Sequence, residues 1–250
     1  MIREHALLPI VSMQDAKPFP HFVCDDFFDV EIARGLEQEF PDYEAPLWHR
    51  YSNALEEKRA CSNWGEFPPL TYSTLNFLIS PSFLQKLGML SGLSLFADPG
   101  LHGGGWHIMP GGSGRLNPHL DFSVHPKTGF ARRFNLIIYL NSSWEDSWGG
   151  GLGLWEGDET APQYMQKQIM PRFNRAVLMD VSGGKAWHGL PYPIDCPEGQ
   201  YRKSLAIYYL TEAHETVSQR TRAQFAPTQD QVGDASVMDL IKRRASARYG

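Results

Sequence analysis

The chain has 250 residues, a formal net charge of −5 and 20% charged residues. That length suits one large β-rich domain with helical additions, and the lack of a basic excess speaks against nucleic acid as a partner. No run approaches ~18 apolar residues, so no membrane span is expected. Cys24, Cys61 and Cys196 form neither a CxxC pair nor a disulfide framework, and the N-terminal apolar patch is too interrupted for a signal peptide, so the expectation is a soluble cytoplasmic protein.

Residues 1–100 read as a mixed, mostly helical support region. "PFPHFVCDDFFDVEIARGLEQEFP" gives a short strand at 20–24, then a helix over 30–39. Asp29 stands at its N-cap, Ile32, Leu36 and Phe40 lie along one face, and Pro41 ends it. "PLTYSTLNFLI" and "SPSFLQKLGMLSGL" are two further helices, with Pro81 at the first helical position of the second.

From Gly103 the texture changes to short apolar runs between Gly, Pro and Asn clusters. Seven strand candidates follow: "GGWHIMP", "RLNPHLDFSV", "RRFNLIIYLN", "GLGLWEG", "YMQKQIMP", "NRAVLMDVS" and "RKSLAIYYLT". This spacing predicts an all-β sandwich or barrel over 101–214. Residues 215–250 form a C-terminal extension with a helix at 235–248. Lys242, Arg243 and Arg244 there read as a solvated face with cations near the helix C-terminus. The whole is expected to be one structural unit.

The chemistry starts at residues 115–124, "RLNPHLDFSV". In a strand, His119 and Asp121 share a face while Leu120 points away. Two ligands do not hold a metal firmly, so a third is needed. His5, His21 and His49 lie outside the β pattern. His102 and His107 sit on an earlier segment, and His214 follows the last strand. His125 has the right parity but precedes Pro126, where the strand ends. His188, in "GGKAWHGLP", follows a strand and a Gly-Gly turn and leads into the strand that opens with Arg202 and Ser204. Two His and one carboxylate leave three positions open, as in the facial triad of non-haem Fe(II) oxygenases. Arg202 suits a bidentate anion anchor. Gly149, Gly150 and Gly151 precede no helix N-terminus and read as a turn rather than a phosphate loop. Trp155 and Trp187 fit a pocket wall and core packing equally well.

With these features in this order, residues 100–212 resemble the Fe(II)/2-oxoglutarate-dependent dioxygenases, in particular the prolyl 4-hydroxylase-like branch, with an echo upstream in "PFPHFVCDDFF…EFP". The resemblance rests on "HLD" at 119–121, "NLIIYLN" at 135–141, Trp144 with the Gly-Gly turn, "FNRAVLMDV" at 173–181, His188 and "RKSLAIYYLT". It implies a mainly β double-stranded β-helix (jelly roll) with N-terminal helices packed on one sheet and a C-terminal helix. It implies Fe(II) bound by His119, Asp121 and His188, with 2-oxoglutarate as cosubstrate, O2, and ascorbate as an optional addition. Arg202 and Ser204, helped by Tyr139, would hold the distal carboxylate of 2-oxoglutarate. Arg133, Asn135, Ile137 and Tyr139 share one strand face, which makes Arg133 the fallback anchor. Two positions depart from the pattern. Arg202 stands where collagen-type prolyl hydroxylases often have Lys, and Ile108 stands where a Tyr is common.

The implied reaction is hydroxylation of an unactivated C–H bond with release of succinate and CO2. The substrate would be a free amino acid, another small metabolite or a prolyl residue of a peptide. Two other classes remain open: a jelly-roll hydrolase or isomerase using Zn or Mn, and a non-catalytic binding module. Oligomeric state is not legible.

Overall fold

The computed structural model of the chain describes residues 1–213 and 220–246. His214, the 214/215 boundary and the last two residues of the expected C-terminal helix lie outside that range. A 3-10 helix, Glu4–Asp15, comes first, followed by β1 (His21–Cys24), α1 (Val30–Gln38), β2 (His49–Asn53), β3 (Glu56–Cys61), α2 (Pro69–Leu78), α3 (Pro81–Ser91) and β4 (Phe96–Ala97). The β-rich part holds β5 (Gly105–Pro110), β6 (Arg115–Leu116), β7 (His119–Leu120), β8 (Ala131–Tyr139), β9 (Leu152–Gly157), β10 (Pro162–Ile169), β11 (Ala176–Asp180), β12 (Trp187–Gly189) and β13 (Tyr201–Thr211). β14 (Gln224–Phe225) and α4 (Ala235–Ser246) close the described chain.

The strands form two antiparallel sheets. The larger has the order β1-β11-β8-β13-β5-β3-β2, with β4 on β13 and β6 on β3, and the smaller has the order β10-β9-β12-β7-β14. This is the expected jelly roll. The larger sheet is apolar on its outer face. Phe134, Leu136 and Ile138 of β8 and Leu205, Ile207 and Tyr209 of β13 pack in one cluster with Ala33, Leu36, Leu75, Leu78, Phe83 and Leu87 of the three N-terminal helices. The alternate residues of the same strands, Asn135, Tyr139, Arg202, Ser204 and Tyr208, are also buried. Both faces of the sheet are therefore covered, and the inner one is polar.

The helices follow their local signals. Ser80 caps α3 by accepting from the Phe83 N–H, Pro81 occupies its first turn, and Gly92 ends it at φ +70°. Asp29 holds the N-cap position of α1 but makes no side-chain capping bond. Two features depart from the sequence expectation. The region before residue 100 supplies to the larger sheet not only the expected strand at β1 but also the β2–β3 hairpin, which the sequence did not suggest. The run at 115–124 is not one strand: Asn117 and Pro118 split it into β6 and β7, each two residues long. Pro118 offers no N–H to a ladder. The Asn117 N–H turns instead to the Leu55 carbonyl at 2.8 Å. Among the described residues no helix is long and apolar enough to cross a membrane. The three cysteines are free and buried, and burial pushes each thiol pKa up.

Asn174 ties the N-terminal segment to the β core. It sits at φ +58°, a left-handed conformation that Asn tolerates better than most residues. Its Oδ1 accepts from the Phe28 N–H at 2.9 Å, and its Nδ2 donates to the Phe28 carbonyl at 2.8 Å. Replacing it with Ala strands both buried backbone groups and strains the turn. Asn174→Ala is expected to destabilise the protein by about 2–4 kcal/mol, read as a lower urea midpoint at unchanged m-value.

Candidate metal centre

His119 on β7 and His188 on β12 are direct partners across the smaller sheet, with ring centroids 4.4 Å apart. Each ties its Nδ1 to the carbonyl two residues upstream, His119 to Asn117 at 2.9 Å and His188 to Ala186 at 2.8 Å. A carbonyl only accepts, so Nδ1 carries a proton on both rings, and Nε2 is the nitrogen left to face a metal.

Asp121 lies one residue beyond the end of β7, so strand alternation does not aim it, contrary to the sequence expectation. Hydrogen bonds do. The Tyr208 hydroxyl donates to Oδ1 at 3.1 Å, Asn135 Nδ2 approaches Oδ2 at 3.4 Å, and Arg220 Nε holds the backbone carbonyl at 2.9 Å. The carboxylate lies 3.7 Å from His119 Nε2 and 3.6 Å from His188 Nε2. One ligand atom from each of the three residues falls within 4.8 Å of the others. Burial works against the charge of Asp121, but His188, Arg132, His119 and the Tyr208 hydroxyl outweigh it and hold the carboxyl at about 2. Burial, reinforced by His188, lowers His119 to about 3. Two imidazoles with Nε2 aimed at an ionised carboxylate suit a first-row divalent metal, and the donors on one side leave the other open. The residues fit Fe(II).

Arg202 on β13 is 4% exposed. Its Nε donates to the Gly150 carbonyl at 2.7 Å and its Nη2 to the Tyr139 hydroxyl at 3.2 Å. Gly150 adopts φ +68°, and a Cβ there would meet Trp144 at 3.0 Å and Arg202 at 3.2 Å. The Gly-Gly turn therefore serves to aim the guanidinium. Among the described residues no carboxylate forms an ion pair with Arg202. A buried, uncompensated cation on a cavity wall is costly unless an anion comes to it.

The cavity has a volume of about 580 Å³, and His119, Asp121, His188, Arg202 and Ser204 all line it. Tyr139 is fully buried, packed with Leu152 and Leu154, and reaches the cavity only through Arg202. The rivals fall away. His125 Nε2 lies 3.3 Å from Asp98, and its Nδ1 accepts from the Lys127 and Thr128 N–H groups, so it locks a loop. Arg133 pairs with Asp180 at 2.8 Å. Trp155 and Trp187 pack with Leu120 and Ala226 as core.

Sequence reasoning missed Tyr208, Arg132, Asn135 and His107. All face the cavity. Tyr208 and Asn135 share strand parity with Arg202 and Tyr139, which was the available signal. Arg132 is clamped between the Phe122 and Tyr208 rings at 3.3 and 3.4 Å, its Nη1 lies 3.7 Å from Asp121, and its Nη2 donates to the His102 carbonyl. Burial, Lys58 and Arg202 together lower His107 to about 3.

Residues 105–210 match the family model of the 2OG-Fe(II) oxygenase superfamily. Among solved structures, a Pseudomonas putida prolyl-4-hydroxylase is 17% identical at a TM-score of 0.55, covering 83% of this chain and 100% of its own. A Trichoplax adhaerens prolyl hydroxylase, solved with a hypoxia inducible factor peptide fragment, is 16% identical at a TM-score of 0.58, covering 83% and 90%. HygX from Streptomyces hygroscopicus, solved with nickel and 2-oxoglutarate, is 14% identical at a TM-score of 0.52, covering 81% and 86%. At these identities the likeness is one of fold. Comparison with curated proteins gives no match.

Two outcomes follow. His188→Ala should abolish high-affinity Fe(II) binding in anaerobic calorimetry, and Asp121→Ala should abolish turnover, whereas His125→Ala should leave metal affinity within a few-fold. Second, His107 in the folded protein stays neutral below ~6.5, the pH near which an unfolded-chain histidine protonates. The unfolded state then binds the extra proton, so stability must fall as pH drops from about 6.5 toward 3. The urea midpoint of the metal-free protein should decline between pH 7 and 5, less steeply in His107→Gln.

Proposed function

We propose, from the match of residues 105–210 to the 2OG-Fe(II) oxygenase superfamily and from a fold similar to that of prolyl 4-hydroxylases, that the chain hydroxylates a small molecule at an unactivated C–H bond. The observation that carries this reading is the pairing of the His119–Asp121–His188 set with a buried Arg202 that forms no ion pair with any carboxylate among the described residues. Fe(II) in that site would supply the redox chemistry, in which O2 and 2-oxoglutarate are consumed and succinate and CO2 are released.

The remaining work belongs to this chain. Arg202 takes the distal carboxylate of the cosubstrate with the donors left over from Gly150 and Tyr139. The Tyr139 hydroxyl accepts from Arg202 and keeps its own proton to donate, and Ser204 offers a hydroxyl on the same face. The Asn117 and Ala186 carbonyls keep the two imidazoles in the ligating tautomer. The Tyr208 hydroxyl and Asn135 amide hold Asp121 in one orientation. Ile137, Leu152 and Leu190 line the wall between these groups and keep water from it.

A cavity of this size, within the ~300–1,000 Å³ range of small-ligand sites, favours a small molecule over a peptide, and a free amino acid is the simplest candidate. A zinc or manganese hydrolase would leave Arg202 without a duty. A non-catalytic module would not need to retain both the ligand set and the anchor.

The deciding assay is succinate release with Fe(II), 2-oxoglutarate and ascorbate to keep the metal reduced. Arg202→Ala should raise the KM for 2-oxoglutarate roughly a hundredfold to several-thousandfold, since removing one partner of a buried pair costs about 3–5 kcal/mol at about 1.4 kcal/mol per tenfold. Arg202→Lys should recover only part, because it loses the planar fork. Iron affinity should not change in either variant. An unchanged KM for 2-oxoglutarate in Arg202→Ala would overturn the assignment.

A further inference from the structure

The inner face of the larger sheet carries a second cationic position that the cosubstrate does not need. Tyr139, Ser204, His107, Ala60 and His49 form one cross-strand row from β8 through β13, β5 and β3 to β2. Lys58 lies two residues before Ala60 and faces the same way, as Arg202 does relative to Ser204. Lys58 therefore stands two strands away from Arg202, about 10 Å along the sheet.

The charges around Lys58 do not cancel. Its Nζ lies 3.3 Å from Glu56 Oε2, and Arg244 of α4 reaches Glu56 Oε1 at 2.5 Å. Two cations share one carboxylate, which is 2% exposed. The cluster keeps a net single positive charge, and all three side chains line the cavity. It is joined to the metal centre, because Arg244 lies 4.9 Å from the Phe225 ring and Phe225 stacks on His119 at 5.4 Å. Between the two cationic positions, His107 stays neutral because burial, Lys58 and Arg202 all disfavour its protonation, so no third charge intrudes.

We propose that Lys58, backed by Arg244, is the docking point for a carboxylate on the prime substrate, so that the enzyme acts on a small organic acid. This inference rests on the hydroxylase reading and names its substrate class. The cosubstrate occupies the Arg202 end, and the substrate's negative charge neutralises the Lys58–Glu56–Arg244 cluster. A carboxylate matches the positive excess of these three side chains. Glu56 acts as the internal competitor: it holds both cations in place and lowers their affinity for the incoming anion.

The test uses the full-length protein loaded with Fe(II) under anaerobic conditions and saturated with 2-oxoglutarate, whose own binding is measured first. Matched acid and amide probes are then titrated by calorimetry: acetate and acetamide, benzoate and benzamide, L-proline and L-prolinamide. At least one acid is expected to bind tenfold or more tightly than its amide. Lys58→Met should weaken acid binding about tenfold to a hundredfold, as expected for one charge-assisted hydrogen bond, and should abolish the discrimination. Glu56→Gln should strengthen acid binding a few-fold. These opposite signs separate recognition from damage to the fold, which would weaken both variants alike. If 2-oxoglutarate itself fails to bind, the hydroxylase reading fails and this inference with it. If 2-oxoglutarate binds but no acid binds, if acids bind no better than amides, or if Lys58→Met leaves acid affinity unchanged, the substrate class is wrong while the hydroxylase reading stands.

Discussion

Two imidazoles must present bare Nε2 atoms to one point in space, and the protein meets this demand with one local device used twice. Each histidine gives its Nδ1 proton to the carbonyl two residues behind it. The device works only if those backbones are fixed, yet β7 has two residues and β12 three. Strands this short cannot hold themselves. Asn117 supplies the missing rigidity. Fully buried, it donates from Nδ2 to the Ala226 carbonyl at 3.0 Å and to Gln231 Oε1 at 2.5 Å. Gly189 lets β12 approach, because a Cβ there would stand 2.5 Å from the Asn117 carbonyl oxygen. The C-terminal segment around β14 is thereby part of the ligand scaffold, since it pairs with β7 on the side opposite β12.

The larger sheet meets a different demand. Its outer face is packed as an ordinary core, whereas its inner face buries guanidinium, hydroxyl and amide groups that would be errors in a purely structural strand. Arg202 is held by Gly150 and Tyr139, and Arg132 by two aromatic faces and the His102 carbonyl, whereas Arg132 Nε and Asn135 Oδ1 find no hydrogen-bond partner among the described residues. Desolvating two guanidinium groups costs stability. The helices packed on the other side of the same strands provide the apolar burial that offsets it.

This two-sided character decided what the sequence could reveal. The alternation in "RRFNLIIYLN" and "RKSLAIYYLT" made both strands, Arg202 and Tyr139 legible, and the order of motifs made the metal set legible. Asn135 and Tyr208 occupied the same parity but carried no chemical flag of their own. The β2–β3 hairpin escaped because "HRYSN" and "EEKRAC" are polar on both faces. β2 is an edge strand, and β3 faces a charged cavity, so neither shows the apolar alternation by which strands are recognised. Asp121 reaches the His119–His188 cluster by another route than strand parity suggests: the backbone leaves the strand before reaching it, and hydrogen bonds rather than strand geometry orient it.

The state of the cysteines bears on chemical durability. The proposed reaction would bring O2 to a redox-active metal beside the chain's own sulfur, and the thiolate is the form that reacts with oxidants. Cys61 contributes to the cavity wall itself, and Cys24 and Cys196 give their Sγ protons to the Asp25 and Gln200 carbonyls at 3.3 and 3.2 Å. Burial pushes the pKa of all three upward, away from the thiolate. Burial thus disfavours, at all three cysteines, the form of the thiol from which sulfenic acids and intermolecular disulfides grow.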